Sequence, residues 1–298
     1  MKSIFIPRYF WNGTNDEVCT NTAVLVRDNR IEQIDEPEKL RLGYPEAQVL
    51  ESNDWLMMPA FVDAHDHGRG MSPISFRTPD RALEMWLQDL NKLPAIPHYQ
   101  ACYYDGMRLV SSGVGMVLHS HNPNSFAQIR EEMVAAEKGY KDAGIRSILC
   151  PLYLDQNKRI YYDRDKFISD LPEPLRTNFA AGIHDKIMNM DEYFQLVEGI
   201  CEDLADDIKA GWTEVQLHPN GGQWCSDEAL LQMKEYALEH GMYIHLHLLE
   251  TQYQAEYAKR TWGKSFIKHY KEIGFLGPWV SFAHAVWLDE EDLQLIAE

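Results

Sequence analysis

The most informative part of this sequence is Pro59-Ala-Phe-Val-Asp-Ala-His65-Asp-His67-Gly68. It is a short apolar strand that ends in a His-x-His pair. Residues two apart on a strand point to the same face, so both imidazoles can reach one metal ion. At the carboxyl end of a strand in a series of βα units, the pair takes the position of barrel active sites. Taken alone, the pair has an alternative interpretation as two polar loop residues.

Two further stretches repeat this arrangement later in the chain. YIHLHLLE (residues 243–250) places His245 and His247 on one strand face, and Glu250 follows three residues after the second histidine. SFAH (residues 281–284) ends another apolar run with His284. Any one of these histidines has an alternative interpretation as a buried core residue. Three successive strand ends with the same feature favour a shared site.

Metal-dependent hydrolases have an active site in which a carboxylate lies beside a histidine-bound metal ion. The metal lowers the pKa of a bound water, and a nearby carboxylate can take up the proton and deliver it to a leaving group. His247 and Glu250 have this relation in the sequence, and His284 can bind metal or orient the attacking water.

After Pro59 the sequence alternates between short apolar strands and amphipathic helices, which is typical of βα units. The clearest helix begins at Ser226, a predicted N-cap, and ends at Gly241. These units predict the α/β class and a TIM-like (β/α)8 barrel. Six strands are predicted, at residues 60–64, 114–118, 147–152, 214–217, 243–246 and 280–283.

The predicted barrel is incomplete. A closed barrel of this kind needs eight strands, and residues 58–298 supply six of them. Residues 289–298 have the pattern of a helix without a stop signal. The expectation is therefore an N-terminal part of a longer protein. Either the last two βα units are absent, or the domain closes in a way that the pattern does not reveal. Residues 1–57 form the other predicted domain, with short strands and a hairpin turn at Asp28-Asn29.

Composition excludes several classes of protein. The chain has 28 Lys and Arg against 46 Asp and Glu, so its formal net charge is −18. Such an acidic chain repels phosphate backbones, which argues against a nucleic-acid partner. No apolar run approaches the roughly 18–20 residues that cross a bilayer, and the N-terminus is a poor secretory signal. The five cysteines are widely spaced and predict no disulfide framework. A globular, cytoplasmic protein without a membrane partner is expected.

Together these stretches resemble the amidohydrolase superfamily, within its branch of cytosine deaminase-like and chlorohydrolase-like aminohydrolases. The resemblance extends from the N-terminus to residue 298. It implies a (β/α)8 barrel with a small β-sandwich, to which residues 1–57 contribute the N-terminal part. The matching stretches are MPAFVDAHDHG (58–68), WCSDEALL (224–231), HLHLLET (245–251) and SFAHAVWLDEEDL (281–293).

Carried over to this sequence, the resemblance implies that His65, His67 and His247 bind one divalent metal ion. It implies that Glu250 moves protons between the water, the ring nitrogen of a substrate and its leaving amine. His284 would hold the attacking hydroxide and polarise the developing tetrahedral centre. The family completes this site with an aspartate after the eighth strand, and no residue of this chain matches it.

The fourth predicted strand bears on the number of metal ions. In binuclear members of the superfamily, a carboxylated lysine near the end of the fourth strand bridges the two ions. Residues 214–219 of this chain contain no lysine. The resemblance therefore favours a mononuclear site. Imidazole and carboxylate ligands suit zinc, and iron is the second choice.

Five other polar residues stand at predicted strand ends and are candidates for contact with a substrate. They are His119, His121, Gln216, His218 and His245. An alternative for His119 and His121 is a polar loop that caps the next helix, and an accessory metal-ligand role also stays open. Because His247 has the family's spacing to Glu250, His245 is assigned to the pocket or to the support of a ligand.

The function that the resemblance implies is metal-dependent hydrolysis at an amino-substituted carbon of a nitrogen heterocycle, with release of ammonia. Two alternatives stay open. One is hydrolysis of a triazine with release of halide or alkylamine. The other is a fragment that binds metal without turnover because the final aspartate is absent. The expected partner is a small heterocyclic molecule, and the resemblance leaves a homodimer open.

Overall fold

The computed structural model describes residues 2–90, 92–156, 161, 163–181 and 188–298. The chain divides into two compact units, Met1–Phe61 and Val62–Glu298. Each unit has its own cluster of buried apolar side chains.

The first unit is a four-stranded mixed sheet with one helix. Its elements are β1 (Lys2–Phe10), β2 (Ala23–Arg27), β3 (Arg30–Asp35), α1 (Pro37–Gly43) and β4 (Gln48–Met57). The strand order is β3-β2-β1-β4, with β1 antiparallel to β2 and parallel to β4. Asp28 and Asn29 connect β2 to β3 with φ angles of 48° and 64°, so the predicted hairpin turn is confirmed.

The core of this unit lies where α1 packs on the sheet. It consists of Ile4, Ile6, Ala23, Leu25 and Leu40. The sequence analysis does not predict β4, because Ser52-Asn53-Asp54 interrupts its apolar pattern with residues that are infrequent in strands. Pairing with β1 nevertheless continues along its length, across a register shift between Pro7 and Tyr9.

The second unit is built on parallel strands that follow one another in chain order. They are β5 (Phe61–Asp66), β6 (Val114–Ser120), β7 (Arg146–Cys150), β8 (Leu152–Tyr153), β9 (Thr213–Val215), β10 (His218–Pro219), β11 (Ile244–Leu248) and β12 (Val280–His284). Strands β5, β6, β7 and β9 form one sheet, β8 pairs with β10, and β11 pairs with β12. Single parallel bridges join Leu217 to Ile244 and Gly221 to His247.

All six predicted strand positions are confirmed, and two of them are divided. Pro151 separates β7 from β8, because proline has no N–H to donate to a neighbouring strand. At the fourth position β9 ends at Val215, and β10 begins at His218, one residue beyond the predicted range. A βα barrel has parallel strands that follow one another in chain order. This arrangement brings the carboxyl ends of all the strands to one edge of the sheet.

Helices follow the strands of this unit. They are α2 (Leu83–Leu90), α3 (His98–Ser111), α4 (Ile129–Ala143), α5 (Arg164–Asp170), α6 (Leu175–Ala181), α7 (Met190–Asp203), α8 (Ala205–Ala210), α9 (Asp227–His240), α10 (Gln252–Trp262), α11 (Phe266–Glu272) and α12 (Glu290–Ala297), with 3₁₀ turns at Pro73–Phe76 and Phe126–Gln128. Among the described residues, no helix combines the length and the apolar character that a bilayer span requires.

Helix α9 shows how the sequence fixes the ends of these elements. The hydroxyl of Ser226 accepts a hydrogen bond from the Ala229 backbone N–H at 3.2 Å, as an N-cap does. Gly241 ends the helix with a φ of 66°, a conformation in which glycine is not strained. Leu230, Met233 and Ala237 on one face are fully buried, so both predicted ends and the predicted face are confirmed.

Glu137 of α4 provides a test of this packing. The residue is 3% exposed, and burial, followed by the charge of Asp207, raises the pKa of its carboxyl group to about 7. A pKa raised in the folded state gives stability that is complete below the unfolded value, near 4.5, and is lost as the pH rises through about 7. We expect Glu137→Gln to remove this loss, which amounts to about 2 kcal/mol between pH 5 and pH 8.

Urea unfolding of the wild type and Glu137→Gln at a series of pH values measures this difference. Glu131→Gln on the exposed side of the same helix is the matched control and should follow the wild type. Parallel pH profiles for Glu137→Gln and the wild type would show that the carboxyl group carries no such penalty.

Candidate active site

Histidines from three strand ends meet in the second unit. His65 and His67 lie at the end of β5, His247 lies on β11, and His284 is the last residue of β12. Donor nitrogens of His65, His247 and His284 lie within 4.8 Å of one another. Nε2 of His67 is 3.4 Å from Nε2 of His247. The structure therefore brings the three predicted metal ligands and His284 into one cluster.

Backbone carbonyls orient two of these rings. The Nδ1–H of His67 donates to the Ser120 carbonyl at 2.9 Å, and the Nδ1–H of His247 donates to the Asn220 carbonyl at 2.5 Å. With the proton on Nδ1, the Nε2 lone pairs of the two rings remain available to a metal ion. Burial lowers the pKa of both imidazoles well below their ordinary value, so both are neutral at neutral pH.

His65 has one supported ring nitrogen and one that lacks a partner. Its Nδ1 is 3.0 Å from Nε2 of His245, whose own Nδ1 is 2.8 Å from the Ser281 hydroxyl. Nε2 of His65 is buried and makes no hydrogen bond within the described part of the chain. Burial lowers the pKa of His65 to about 4 and that of His245 to about 3. A neutral, buried and unpaired imidazole nitrogen beside other lone pairs fits a divalent transition-metal ion.

Glu250 lies two residues beyond β11 and faces the histidine cluster. Its Oε2 is 3.4 Å from Nε2 of His284. Burial, and then the charge of Glu84, raises the pKa of Glu250 to about 7. Its backbone N–H donates to the Gln254 side chain at 2.7 Å, which fixes the start of the loop. A carboxyl group that titrates near neutrality can both accept and donate a proton there.

Residues that the sequence analysis did not single out lie around Glu250. Thr251 donates from its hydroxyl to Oε1 of Glu84 at 2.7 Å, and Oε2 of Glu84 is buried without a partner among the described residues. The Arg69 guanidinium lies over the Trp86 ring at 5.2 Å, and burial lowers the pKa of Arg69 to about 10. Because Arg69 directly follows the His-x-His-Gly stretch, its place near the site could have been predicted from the sequence. The position of Glu84 could not, because it depends on the conformation of the loop after β5.

The backbone is left-handed at three non-glycine residues beside the cluster. Leu249, His284 and Ala285 have φ angles of 51°, 69° and 51°. This conformation costs an L-residue roughly 1–2 kcal/mol. It is held by hydrogen bonds from the Ala285 N–H to the Leu248 carbonyl at 2.8 Å and from the Val286 N–H to the Leu249 carbonyl at 3.1 Å. Strain of this kind concentrates at functional sites.

Two of the predicted substrate contacts lie at the fourth strand position. His218 is fully buried, and both of its ring nitrogens are occupied. Its Nδ1–H donates to the His245 carbonyl at 2.5 Å, and the Ser120 hydroxyl lies 2.8 Å from its Nε2. Gln216 is 9% exposed. Contact of these side chains and of His245 with a substrate stays a prediction.

The other two predicted contacts, His119 and His121, form a second buried group. Nε2 of His119 is 3.1 Å from Nδ1 of His121, and Nδ1 of His119 is 3.2 Å from the Tyr140 hydroxyl. Gly68 packs against this group with a φ of 62°, and a Cβ there would lie 2.5 Å from the His119 ring. Contact of His119 and His121 with a substrate also stays a prediction.

Residues 56–298 match the model of the amidohydrolase family, and the chain therefore belongs to that family. The resemblance identified from the sequence is confirmed. The chain is 26% identical over 289 residues to the 5-methylthioadenosine/S-adenosylhomocysteine deaminase of Thermodesulfovibrio yellowstonii. That alignment covers 95% of this chain and 57% of the relative, so the chain spans a little more than half the length of the curated protein it matches.

Solved structures share the fold. An adenosine deaminase from Xanthomonas campestris, solved with bound zinc, superposes with a TM-score of 0.75 at 18% identity, over 99% of this chain and 60% of that one. A variant of atrazine chlorohydrolase from Arthrobacter aurescens gives a TM-score of 0.74 at 15% identity, over 99% of this chain and 63% of that one. At these identities the likeness concerns the fold, which is the TIM-like barrel fold of the family.

Proposed function

We propose that this chain is the catalytic part of a metal-dependent aminohydrolase that replaces the amino group of a nitrogen heterocycle with oxygen and releases ammonia. The observation that carries the proposal is the placement of Glu250 beside His284, at the rim of a cluster of neutral imidazoles on the carboxyl ends of parallel strands. The deaminase name of the sequence relative supports the choice of leaving group.

The metal ligands of this proposal are His65, His67 and His247. Their available Nε2 atoms make up the donor set, and zinc is the preferred ion, with iron as the second choice. A divalent ion bound there would lower the pKa of a water molecule and so supply a nucleophile at neutral pH.

Glu250 is the proton carrier of the proposed reaction. Since the pKa of its carboxyl group is near 7, Glu250 can give a proton to the ring nitrogen next to the reacting carbon and take one up again. His284, 3.4 Å away, orients the attacking oxygen and stabilises charge at the tetrahedral carbon. Proton transfer to the amino group then makes it a good leaving group, and ammonia departs.

The domain assignment belongs to the same proposal. We propose that residues 58–298 are the first six βα units of a (β/α)8 barrel, and that residues 1–57 are the N-terminal part of a composite β-sandwich. The chain order of the parallel strands supports the first statement, and the separate core of the first unit supports the second.

Ammonia release by the zinc-loaded chain tests the function. The substrate panel starts with adenosine and 5-methylthioadenosine, because of the relative's name, and continues with guanine, cytosine and an amino-substituted triazine. Matching chloro- and alkylamino-triazines separate deamination from the rival reaction. We expect ammonia from at least one aminoheterocycle and slower release of chloride and alkylamine. Release of chloride or alkylamine alone would favour the triazine reaction. Zinc binding without any turnover would contradict both reactions for this chain and favour the third alternative, a fragment that binds metal without turnover.

A further inference from the structure

A second group of metal-ligand side chains lies in the Val62–Glu298 unit and takes no part in the proposed reaction. His98 is the first residue of α3, His121 directly follows β6, and Glu132 lies in the first turns of α4. We propose that these three residues bind a second divalent transition-metal ion, with zinc as the preferred ion. The proposal concerns a different set of ligands and does not depend on the proposed function.

The distances between the three donor atoms fit such an ion. Nε2 of His98 and Nε2 of His121 lie 3.2 Å and 3.1 Å from Oε2 of Glu132, and all three atoms are within 4.8 Å of one another. Zinc binds imidazole nitrogen and carboxylate oxygen at about 2.0–2.2 Å in a tetrahedral arrangement, which separates neighbouring ligand atoms by about 3.3 Å. Two imidazoles and one carboxylate leave one position of the tetrahedron for water.

The state of His98 is the observation that points to a ligand. Its side chain is nine-tenths buried, and its Nε2 has no hydrogen-bond partner in the described structure. The Oε2 atom of Glu132 lies 3.2 Å from this nitrogen. A metal ion between His98, His121 and Glu132 would explain why this buried nitrogen lies beside a carboxylate and a second imidazole and has no hydrogen-bond partner.

The carboxylate of Glu132 is held in place from the other side. The Ser125 N–H donates to its Oε1 at 3.0 Å, and the Asn124 N–H donates to its Oε2 at 3.1 Å. Each carboxylate oxygen has more than one acceptor position, so these bonds leave room for a metal ion. They fix the orientation of Glu132 as outer hydrogen bonds fix the ligands of known metal sites.

His121 is supported in the same way. Its Nδ1 contacts Nε2 of His119, whose Nδ1 contacts the Tyr140 hydroxyl, and that hydroxyl lies 3.4 Å from Oδ2 of Asp105. If Tyr140 donates to Asp105, then His119 donates to Tyr140, and His121 donates from Nδ1 to His119. This order of donors leaves the Nε2 lone pair of His121 free to bind the ion.

The same residues can also form a hydrogen-bonded cluster without a metal. The order of donors is then reversed: Tyr140 donates to His119, His119 to His121, and His121 from Nε2 to Glu132 at 3.1 Å. In that case Nε2 of His98 remains without a partner. The two arrangements predict different metal contents, so they can be told apart.

A metal ion at this position would connect three elements of the unit. His98 begins α3, His121 ends the β6 region and Glu132 belongs to α4, so one ion would join two helices and a strand end. Ser120, next to His121, supplies the carbonyl that orients His67. We expect the second ion to stabilise this part of the fold, because an ion that binds only the folded chain adds its binding free energy to stability.

Metal content after removal and resupply of zinc tests the proposal. The chain and its variants are treated with a chelator, equilibrated with zinc, freed of excess ion and analysed by plasma mass spectrometry. We expect two equivalents for the wild type, one for His98→Ala, one for Glu132→Gln, one for His67→Ala and none for the double variant His67→Ala/His98→Ala. In the His67→Ala background, zinc should raise Tm by several degrees, and the further change His98→Ala should abolish this shift.

His269→Ala is the matched control. His269 is also buried beside a carboxylate, with Nε2 2.8 Å from Asp227, but the described structure places no second histidine donor within ligand distance of that pair. This variant should keep two equivalents. An unchanged zinc content in folded His98→Ala and Glu132→Gln, or a wild type with one equivalent that His67→Ala removes, would overturn the second site. A single equivalent that His98→Ala removes and His67→Ala retains would support it and contradict the metal site of the proposed function.

Discussion

Glu250→Gln is expected to lower kcat for ammonia release by about 10²–10⁴-fold, the range that general acid–base groups contribute. Glutamine has nearly the same shape but cannot give up and regain a proton. The Glu250 carboxyl group is not assigned to the metal, and its backbone N–H bond to Gln254 does not involve the side chain. The loss should therefore appear in turnover, with zinc content and unfolding temperature close to those of the wild type.

The pH dependence sharpens this prediction. A proton-carrying group with a pKa near 7 gives a pH–rate profile that bends near neutrality, and the bend should be absent from the residual activity of Glu250→Gln. Glu256→Gln, an exposed change on the following helix α10, is the matched control and should leave both kcat and the profile unchanged. A decrease below tenfold, with the bend retained, would assign proton transfer to another group.

His67→Ala is expected to remove one equivalent of metal and to lower activity by on the order of 10³-fold or more. The ring is buried, its Nδ1–H is bound to the Ser120 carbonyl, and its Nε2 faces His247 at 3.4 Å. The loss of this ring removes one of the three imidazoles assigned to the ion, and the ring's orientation is set by the backbone. The measurement is zinc content per chain, together with ammonia release at saturating zinc.

His240→Ala serves as the control for His67→Ala. His240 is exposed at the end of α9. In the described structure its Nδ1 is hydrogen-bonded to the Tyr236 carbonyl. It should retain wild-type zinc content and turnover. If His67→Ala binds as much zinc as the wild type, His67 is not a ligand of the ion, and the assignment of the first metal site is wrong.

The sequence predicted the strands of the second unit and the meeting of His65, His67, His247 and His284. This was achievable because side chains two apart on a strand share a face, and because parallel strands in chain order gather their carboxyl ends. Both facts are local or follow from strand order, so no knowledge of loop conformation was needed. Glu250, three residues after His247 in the sequence, accordingly lies just beyond the end of β11.

The supporting contacts of the site could not be predicted in this way. The partners of His67 and His247 are the backbone carbonyls of Ser120 and Asn220, and any residue type provides a carbonyl. The sequence analysis also gave no role to His98. Its neighbours come from another strand end and another helix, and only the packing of α3 beside α4 brings them together.

The left-handed backbone at His284 has a mechanical consequence. Three amides after β12 donate to the carbonyls of Leu248 and Leu249, so hydrogen bonds connect the ends of β11 and β12 beyond the regular ladder. Glu250 directly follows one of these ends, and His284 forms the other. The two strand ends should therefore move together in thermal motion. The distance between the Glu250 and His284 side chains should then vary little. Slow hydrogen exchange of the Ala285 and Val286 amides, as slow as that of β11, would be the signature of this coupled motion.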